Sequence, residues 1–215
     1  MISLLMQNSA GLMSIGLADG DKLVFDSVVD VDLAESRNVE AYVRAAFSQS
    51  GKTIADVGCV FVDIGPGGLG ATRSTVAFAN ALGFANSISV IGIHAFELIG
   101  YEVAKLTKKP VVCIRPAARP NHYMALYDKG TLSHFSFVDT DTVQLFVRGH
   151  LHTASFAGKF SFSEVLEAKE GPWPAPVANS ASMLSFLVVA LEKYKTGART
   201  VRVYPISENL VVNSQ

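Results

Sequence analysis

The sequence predicts an α/β protein made of two copies of a βββαβα unit. Two observations carry this reading. The order of strand-like and helix-like segments in residues 1–109 is repeated in residues 110–215. The composition also supplies enough apolar material for two cores, with 49% hydrophobic residues and only 17% charged ones, far from a disordered composition.

The elements follow in order. "ISLLMQ" and "LMSIGLA" are apolar runs of strand length, and Asp19-Gly20 makes a turn before "KLVFDSVVDV"; Asp-Gly between apolar runs is a hairpin signal. "ESRNVEAYVRAAFSQSG" carries Val39, Tyr42, Val43, Ala46 and Phe47 at helical spacing, with a glycine stop at Gly51. "VGCVFVDI" reads as a buried strand, "TRSTVAFANALGFA" as a helix and "ISVIGI" as a strand. "AFELIGYEVAKLTKK" is a helix whose last turn holds lysines, the sign that suits a helix C-terminus. The second copy runs "PVVCI", "NHYMALYD", a Lys129-Gly130 turn, "TLSHFSFVD", the helix "TDTVQLFVRG", the strand "TASFAG", the helix "APVANSASMLSFLVVALEKYKTG" and the strand "TVRVYPI". This order describes the duplicated ribonuclease-H-like architecture of actin, Hsp70 and sugar kinases. It predicts two lobes, 1–109 and 110–215, that meet at Pro110, each with a five-stranded mixed sheet. Fold alone leaves function open.

A formal net charge of -1 gives no basic footprint for direct grip on nucleic acid. Cys59 and Cys113 each sit inside an apolar run and read as reduced core thiols. Residues 1–18 and 74–96 carry no Asp, Glu, Lys or Arg, but Gly, Ser, Asn and Gln interrupt these stretches, which does not suit a membrane span. No basic n-region or cleavage site marks a secretory signal, so the expected compartment is the cytoplasm.

"DIGPGGLGATR" is the conspicuous loop. Gly65-x-Gly67-x-x-Gly70 matches a dinucleotide fingerprint, yet the acid that should close the next strand is absent, since Glu97 already lies in the following helix. A P-loop would need lysine where Ala71 stands, although Thr72 supplies a hydroxyl. The bland alternative is a sharp strand-to-helix connection that needs close backbone approach, with helix N–H groups still able to attract an anion.

This stretch, with the strand and helix after it, resembles the signature region of the TsaB (YeaZ) family, where G-P-G-S-F-T-G-x-R precedes a helix of small residues. "LLMQNSAGLMSIGL" resembles the family's opening hairpin, "PNHYMALYD" its G-E-V-Y-x-A-x-Y strand, and "VRVYPI" sits where the family has P-x-Y-L-R. Of the glycine motif, Gly65, Pro66, Gly67 and Arg73 remain at specified positions, and Gln7 replaces the first-hairpin Asp. The resemblance implies a noncatalytic, cytoplasmic subunit that pairs with a TsaD-like catalytic subunit and a TsaE-like ATPase. That complex serves threonylcarbamoylation of adenosine 37 (t6A) in ANN-decoding tRNAs, so tRNA is met only through the complex. No cofactor is required by that role. Weak ATP or ADP binding within a complex would fall on Gly65, Gly67, Gly68, Gly70 and Arg73, or these residues are structural only.

Catalytic alternatives stay open but lack their parts. A small-molecule kinase or ATPase of this fold needs acids in the two hairpin loops, which read "MQNSAG" and "IRPAARPNH". An NAD-dependent oxidoreductase lacks the ribose-binding acid. The histidines, at 94, 122, 134, 150 and 152, form no H-E-x-x-H or H-x-x-x-H pair, so no metal site and no catalytic residue is expected. Arg115 and Arg119 read as solvated surface cations, and Trp173 as a packing anchor in a proline-rich loop.

The helix after the glycine loop is the candidate association surface. Apolar side chains surround it, and Asn80 is nearly its only polar group, unlike a helix covered on one side. Val76, Ala77, Asn80, Ala81 and Phe84, with Tyr42 and Ala46 of the preceding helix, are the expected partner-interface residues, toward a TsaD-like chain or a second copy in a homodimer. The competing expectation is a helix covered by its own lobe's sheet and the preceding helix.

Overall fold

The structure is a computed structural model describing residues 1–30, 33, 38–160, 176–197, 200 and 202–207. Trp173 lies outside the described residues. The chain divides into two units, each described by itself.

The first unit holds Met1–His94 and Ser182–Pro205. Its sheet has the order β3-β2-β1-β4-β5, from β1 (Ile2–Gln7), β2 (Ser14–Asp19), β3 (Lys22–Asp26), β4 (Val57–Asp63) and β5 (Ser89–Ile93). β1 pairs antiparallel with β2 and parallel with β4, and β4 pairs parallel with β5. Strand alternation splits β1 between two faces. Leu4 and Met6 share a core with Tyr42, Val43 and Ala46 of α1 (Val39–Ser50) and with Val76 and Ala79 of α2 (Leu69–Asn86). Leu5 points the other way, where Gly16 has no side chain: a Cβ there would stand 3.0 Å from Leu5 Cδ1 and 3.1 Å from Met183 Sδ. That opposite face carries α5 (Met183–Lys195), whose Tyr194 ring meets Phe61 edge-on with centroids 6.2 Å apart.

The caps follow from sequence. Asn38 accepts the Glu40 N–H to start α1, and Gly51 ends it in the left-handed region at φ 65°. Ser182 accepts the Ser185 N–H to start α5. The closing helix therefore begins at Met183 rather than in the expected "APVANSAS" stretch, because Ser182 terminates an extended approach with a side chain that caps well.

The second unit holds Ala95–Ala181 and, among the described C-terminal residues, Ile206 and Ser207. β6 (Val111–Pro116), β7 (His122–Asp128), β8 (Thr131–Val138) and β9 (Ser155–Ala157) form a sheet of order β8-β7-β6-β9, which among the described residues repeats the first four positions of the first sheet's order. α4 (Thr140–His150), capped by Asp139, covers it with Val143 and Val147. α3 (Ala95–Thr107) packs Phe96, Ile99 and Val103 against Val111, Cys113 and Tyr127. Gly100 lets that helix lie directly on the ring of Tyr127, since a Cβ would stand 2.5 Å from Tyr127 Cγ.

Two expectations are corrected here. The division does not fall at Pro110: α3 belongs with the sheet that follows it, and α5 returns to the first sheet, so the lobes are not 1–109 and 110–215. The physical reason lies in side chains, Phe96 and Gly100 fitting Tyr127 while Met183 fits Gly16. Nor does "TVRVYPI" complete the second sheet. It approaches β5 of the first unit through a single antiparallel bridge, Val90 to Thr200. The alternation of two mixed sheets with helices stands as read.

Among the described residues, no helix is long and apolar enough to cross a membrane.

Candidate functional site

The glycine loop hangs from Asp63, the last residue of β4. Asp63 is 1% exposed. Its Oδ1 accepts the Gly65 N–H at 2.9 Å and its Oδ2 accepts the Ser9 N–H at 3.1 Å. The carboxylate thus joins the β4–α2 loop to the β1–β2 hairpin loop. The Ser9 carbonyl returns the connection by accepting the Gly68 N–H at 3.0 Å. Asn8 adds a third stitch, donating from Nδ2 to Thr75 Oγ1 at 3.0 Å. Gly65 takes φ 91°, and the Gly65-Pro66 peptide is cis.

Each glycine meets a different need. At Gly67 a Cβ would stand 2.2 Å from the Ser9 carbonyl oxygen, which no side chain tolerates. At Gly70 it would meet nothing within 4 Å. Close approach of two loop backbones therefore explains Gly67, and positive φ explains Gly65. Asp63, the Ser9 carbonyl and Asn8 thus tie the loop to its own chain, and Ala71 stands where a phosphate-binding loop would carry lysine.

Beyond the loop, α2 turns Thr72, Thr75, Val76, Ala79 and Gly83 inward. Gly83 permits near contact with β5, because a Cβ would stand 2.4 Å from Val90 Cγ2. Part of the small-residue character thus serves the helix's own sheet. Arg73, Ala77, Ala81 and Phe84 face outward, Phe84 at 84% exposure. Arg73 makes no hydrogen bond or ion pair among the described residues, contrary to a local structural role.

The expected interface set therefore divides. Ala77, Ala81 and Phe84 lie on an open face. Val76, at 2% exposure, Tyr42 and Ala46 are buried in the unit's own core, and the Tyr42 hydroxyl donates to the Leu33 carbonyl at 2.6 Å. These three are corrected to core residues, as their place on the inward faces of α1 and α2 requires. Asn80 is engaged too: Nδ2 donates to the Val203 carbonyl and Oδ1 accepts the Val203 N–H, both at 2.9 Å. Residues 202–205 thereby form a second wall beside α2, enclosing with it a groove of about 750 Å³. Periodicity along α2 could not reveal that wall, which comes from 123 residues away in sequence.

In the second unit, Arg115 is not solvated. It is 3% exposed, and its Nη2 donates to the Asn179 carbonyl at 2.7 Å. Burial pushes the neighbouring Cys113 thiol well above its ordinary range, so it is inert rather than nucleophilic. The His150 ring stacks on Phe146 with centroids 4.3 Å apart. Among the described residues, no group of three His, Cys, Asp or Glu side chains could hold a metal ion.

This fold is shared with solved structures. "YeaZ from Pseudomonas aeruginosa" superposes with a TM-score of 0.70 at 16% identity, covering 96% of this chain and 100% of that one. An uncharacterized protein with similarity to peptidase YEAZ from Pseudomonas aeruginosa gives 0.73 at 17% identity, covering 96% and 98%. No curated protein matches the sequence. The sequence model of TsaD, tRNA N6-adenosine threonylcarbamoyltransferase, matches residues 32–147, more than half of the chain. The chain therefore belongs to the TsaD family and is a t6A-synthesis-related protein with the fold of YeaZ.

Proposed function

We propose that this chain is a noncatalytic, TsaB-like subunit that pairs with a TsaD-like catalytic subunit through the outer face of α2. With a TsaE-like ATPase, the pair supports threonylcarbamoylation of adenosine 37 in ANN-decoding tRNAs in the cytoplasm. tRNA is engaged by the complex and not by this chain alone. The observation that carries the reading is Phe84, 84% exposed toward the C-terminal end of α2 and in line with the open Ala77 and Ala81. Burying a phenylalanine is worth about 1.5–3 kcal/mol, and small neighbours let a second helix come close. The role needs no cofactor in this chain. ATP or ADP contact, weak in the isolated chain, belongs to the assembled complex.

Ala81→Glu tests the surface. The side chain points to solvent in the free protein, so the fold should persist. In the complex an unpaired buried carboxylate costs about 3 kcal/mol, a loss of roughly 100-fold in affinity. Titration calorimetry with the purified TsaD-like subunit reads the affinity, and t6A formation in a reconstituted system reads the consequence. A folded variant that still binds and fully supports modification would refute the surface. Modification that proceeds equally well without this chain would refute the role.

A further inference from the structure

The groove beside α2 has two walls of different origin. One is the helix, with Arg73, Ala81 and Phe84 facing out. The other is the extended segment 202–205, with Arg202 and Tyr204. Asn80 fastens the second wall to the first through both polar groups of Val203, the pairing a neighbouring strand would give. Thr200 holds the same segment to β5: its carbonyl accepts the Val90 N–H at 2.9 Å and its hydroxyl donates to the Val90 carbonyl at 2.8 Å. Thr200 and Val203 are therefore held as fixed parts of the surface.

Among the described residues, the charges on this groove have one sign: its lining includes two guanidinium groups and no carboxylate. Arg73 has no ionic or hydrogen-bonding partner among the described residues, and Arg202 lies over the Tyr204 ring, 5.2 Å from its centroid. α2 contains no Asp or Glu along its 18 residues. On the same face of the sheet, α1 offers Glu40, whose carboxylate is already paired with Arg44.

That pattern discriminates between occupants. A two-fold contact sets the same patch against itself, so a second copy seated here would place arginine against arginine with no described acid of the groove between them. Covering these cations is favourable only if the occupant brings carboxylates. We infer that the groove takes a segment of a different protein chain, an apolar side chain flanked by acidic residues, with Phe84 and Tyr204 gripping the apolar part and Arg73 and Arg202 pairing the acids. This rests on the reading of α2 as the partner surface, and it selects the heterologous partner over a homodimer there.

Four full-length proteins test it: wild type, Ala81→Glu, Arg73→Glu/Arg202→Glu, and Arg73→Lys/Arg202→Lys. Each is titrated against the TsaD-like subunit at low and high salt, and sedimented alone. The glutamate pair should weaken binding by about 30-fold or more, the lysine pair by about threefold, and wild-type affinity should fall with salt. Isolated wild type and Ala81→Glu should sediment alike. If Ala81→Glu abolishes binding while the glutamate pair leaves it intact, the surface stands and the acidic occupant is wrong. If neither changes binding, or wild type has no affinity, the partner surface itself is wrong. An isolated dimer that Ala81→Glu dissolves makes a second copy the occupant and overturns the inference.

Discussion

The first turn of α2 and its outer face follow opposite rules. Leading into the first turn, the loops hold one another: Asp63 holds Gly65 and Ser9, Ser9 holds Gly68, and Asn8 holds Thr75. On the outer face, further along the helix, Ala77, Ala81 and Phe84 are exposed and Arg73 has no partner among the described residues. The loop has the sequence of a ligand-binding turn and is tied to the neighbouring hairpin loop from within the chain. The outer face has the sequence of an ordinary core helix and is the part left uncovered. Glycine patterns record backbone constraints, and those constraints are shared by loops that bind phosphates and loops that bind another loop.

The difference predicts that damage at the loop lowers stability, whereas damage on the face lowers association. The largest loop effect belongs to Gly67→Ala. The new methyl would stand 2.2 Å from the Ser9 carbonyl oxygen and 2.6 Å from Ser9 Cβ, so both loop backbones must move. A cost of about 3 kcal/mol is expected, read as a lower urea midpoint. Affinity for the partner, measured on the folded fraction, should hardly change. A stable Gly67→Ala protein with lost affinity would turn the comparison around, making the loop the functional end.

Asp63→Asn sharpens the same contrast with a smaller effect. The amide keeps one acceptor, but its NH2 group must face either the Ser9 or the Gly65 N–H, both now satisfied by the carboxylate. One buried donor is left without an acceptor, at a cost of about 2 kcal/mol. Urea unfolding should register this loss while association of the folded protein is retained. No change in stability would mean that the carboxylate is not what ties the β4–α2 loop to the β1–β2 hairpin loop.

How far these features were legible depends on how local their causes are. Strand and helix positions were legible because alternation, caps and turns act over a few residues: Asp19-Gly20, Asn38 and Gly51 each fall where the elements change. Helix ownership was not. α3 precedes β6 directly, yet only the fit of Phe96 and Gly100 to Tyr127 decides which sheet it covers. The outer face of α2 was half legible. Spacing pointed to Ala77, Ala81 and Phe84, but it could not tell that Val76, Tyr42 and Ala46 face inward, since apolar residues surround the helix. The Asn80 link to Val203 and the burial of Arg115 are long-range pairings with no local signal.

Gly70 supplies the smallest effect and the sharpest discrimination within the loop itself. It belongs to the same glycine pattern as Gly67, and a nucleotide-binding reading would require both. In the structure Gly70 is exposed, is the second residue of α2, and does not take a positive φ. An added Cβ would meet nothing within 4 Å. Alanine is the better helix former and narrows the unfolded ensemble, so Gly70→Ala should raise stability by about 0.5 kcal/mol. Its carbonyl, which accepts the Ser74 hydroxyl at 3.0 Å, is unaffected by the change. The expected result is thus a slightly higher urea midpoint with unchanged affinity for the TsaD-like subunit. A marked loss of affinity at Gly70 with stability intact would show that something approaches the loop backbone from outside, and the first turn of α2 would then belong to the binding surface rather than to the scaffold beneath it.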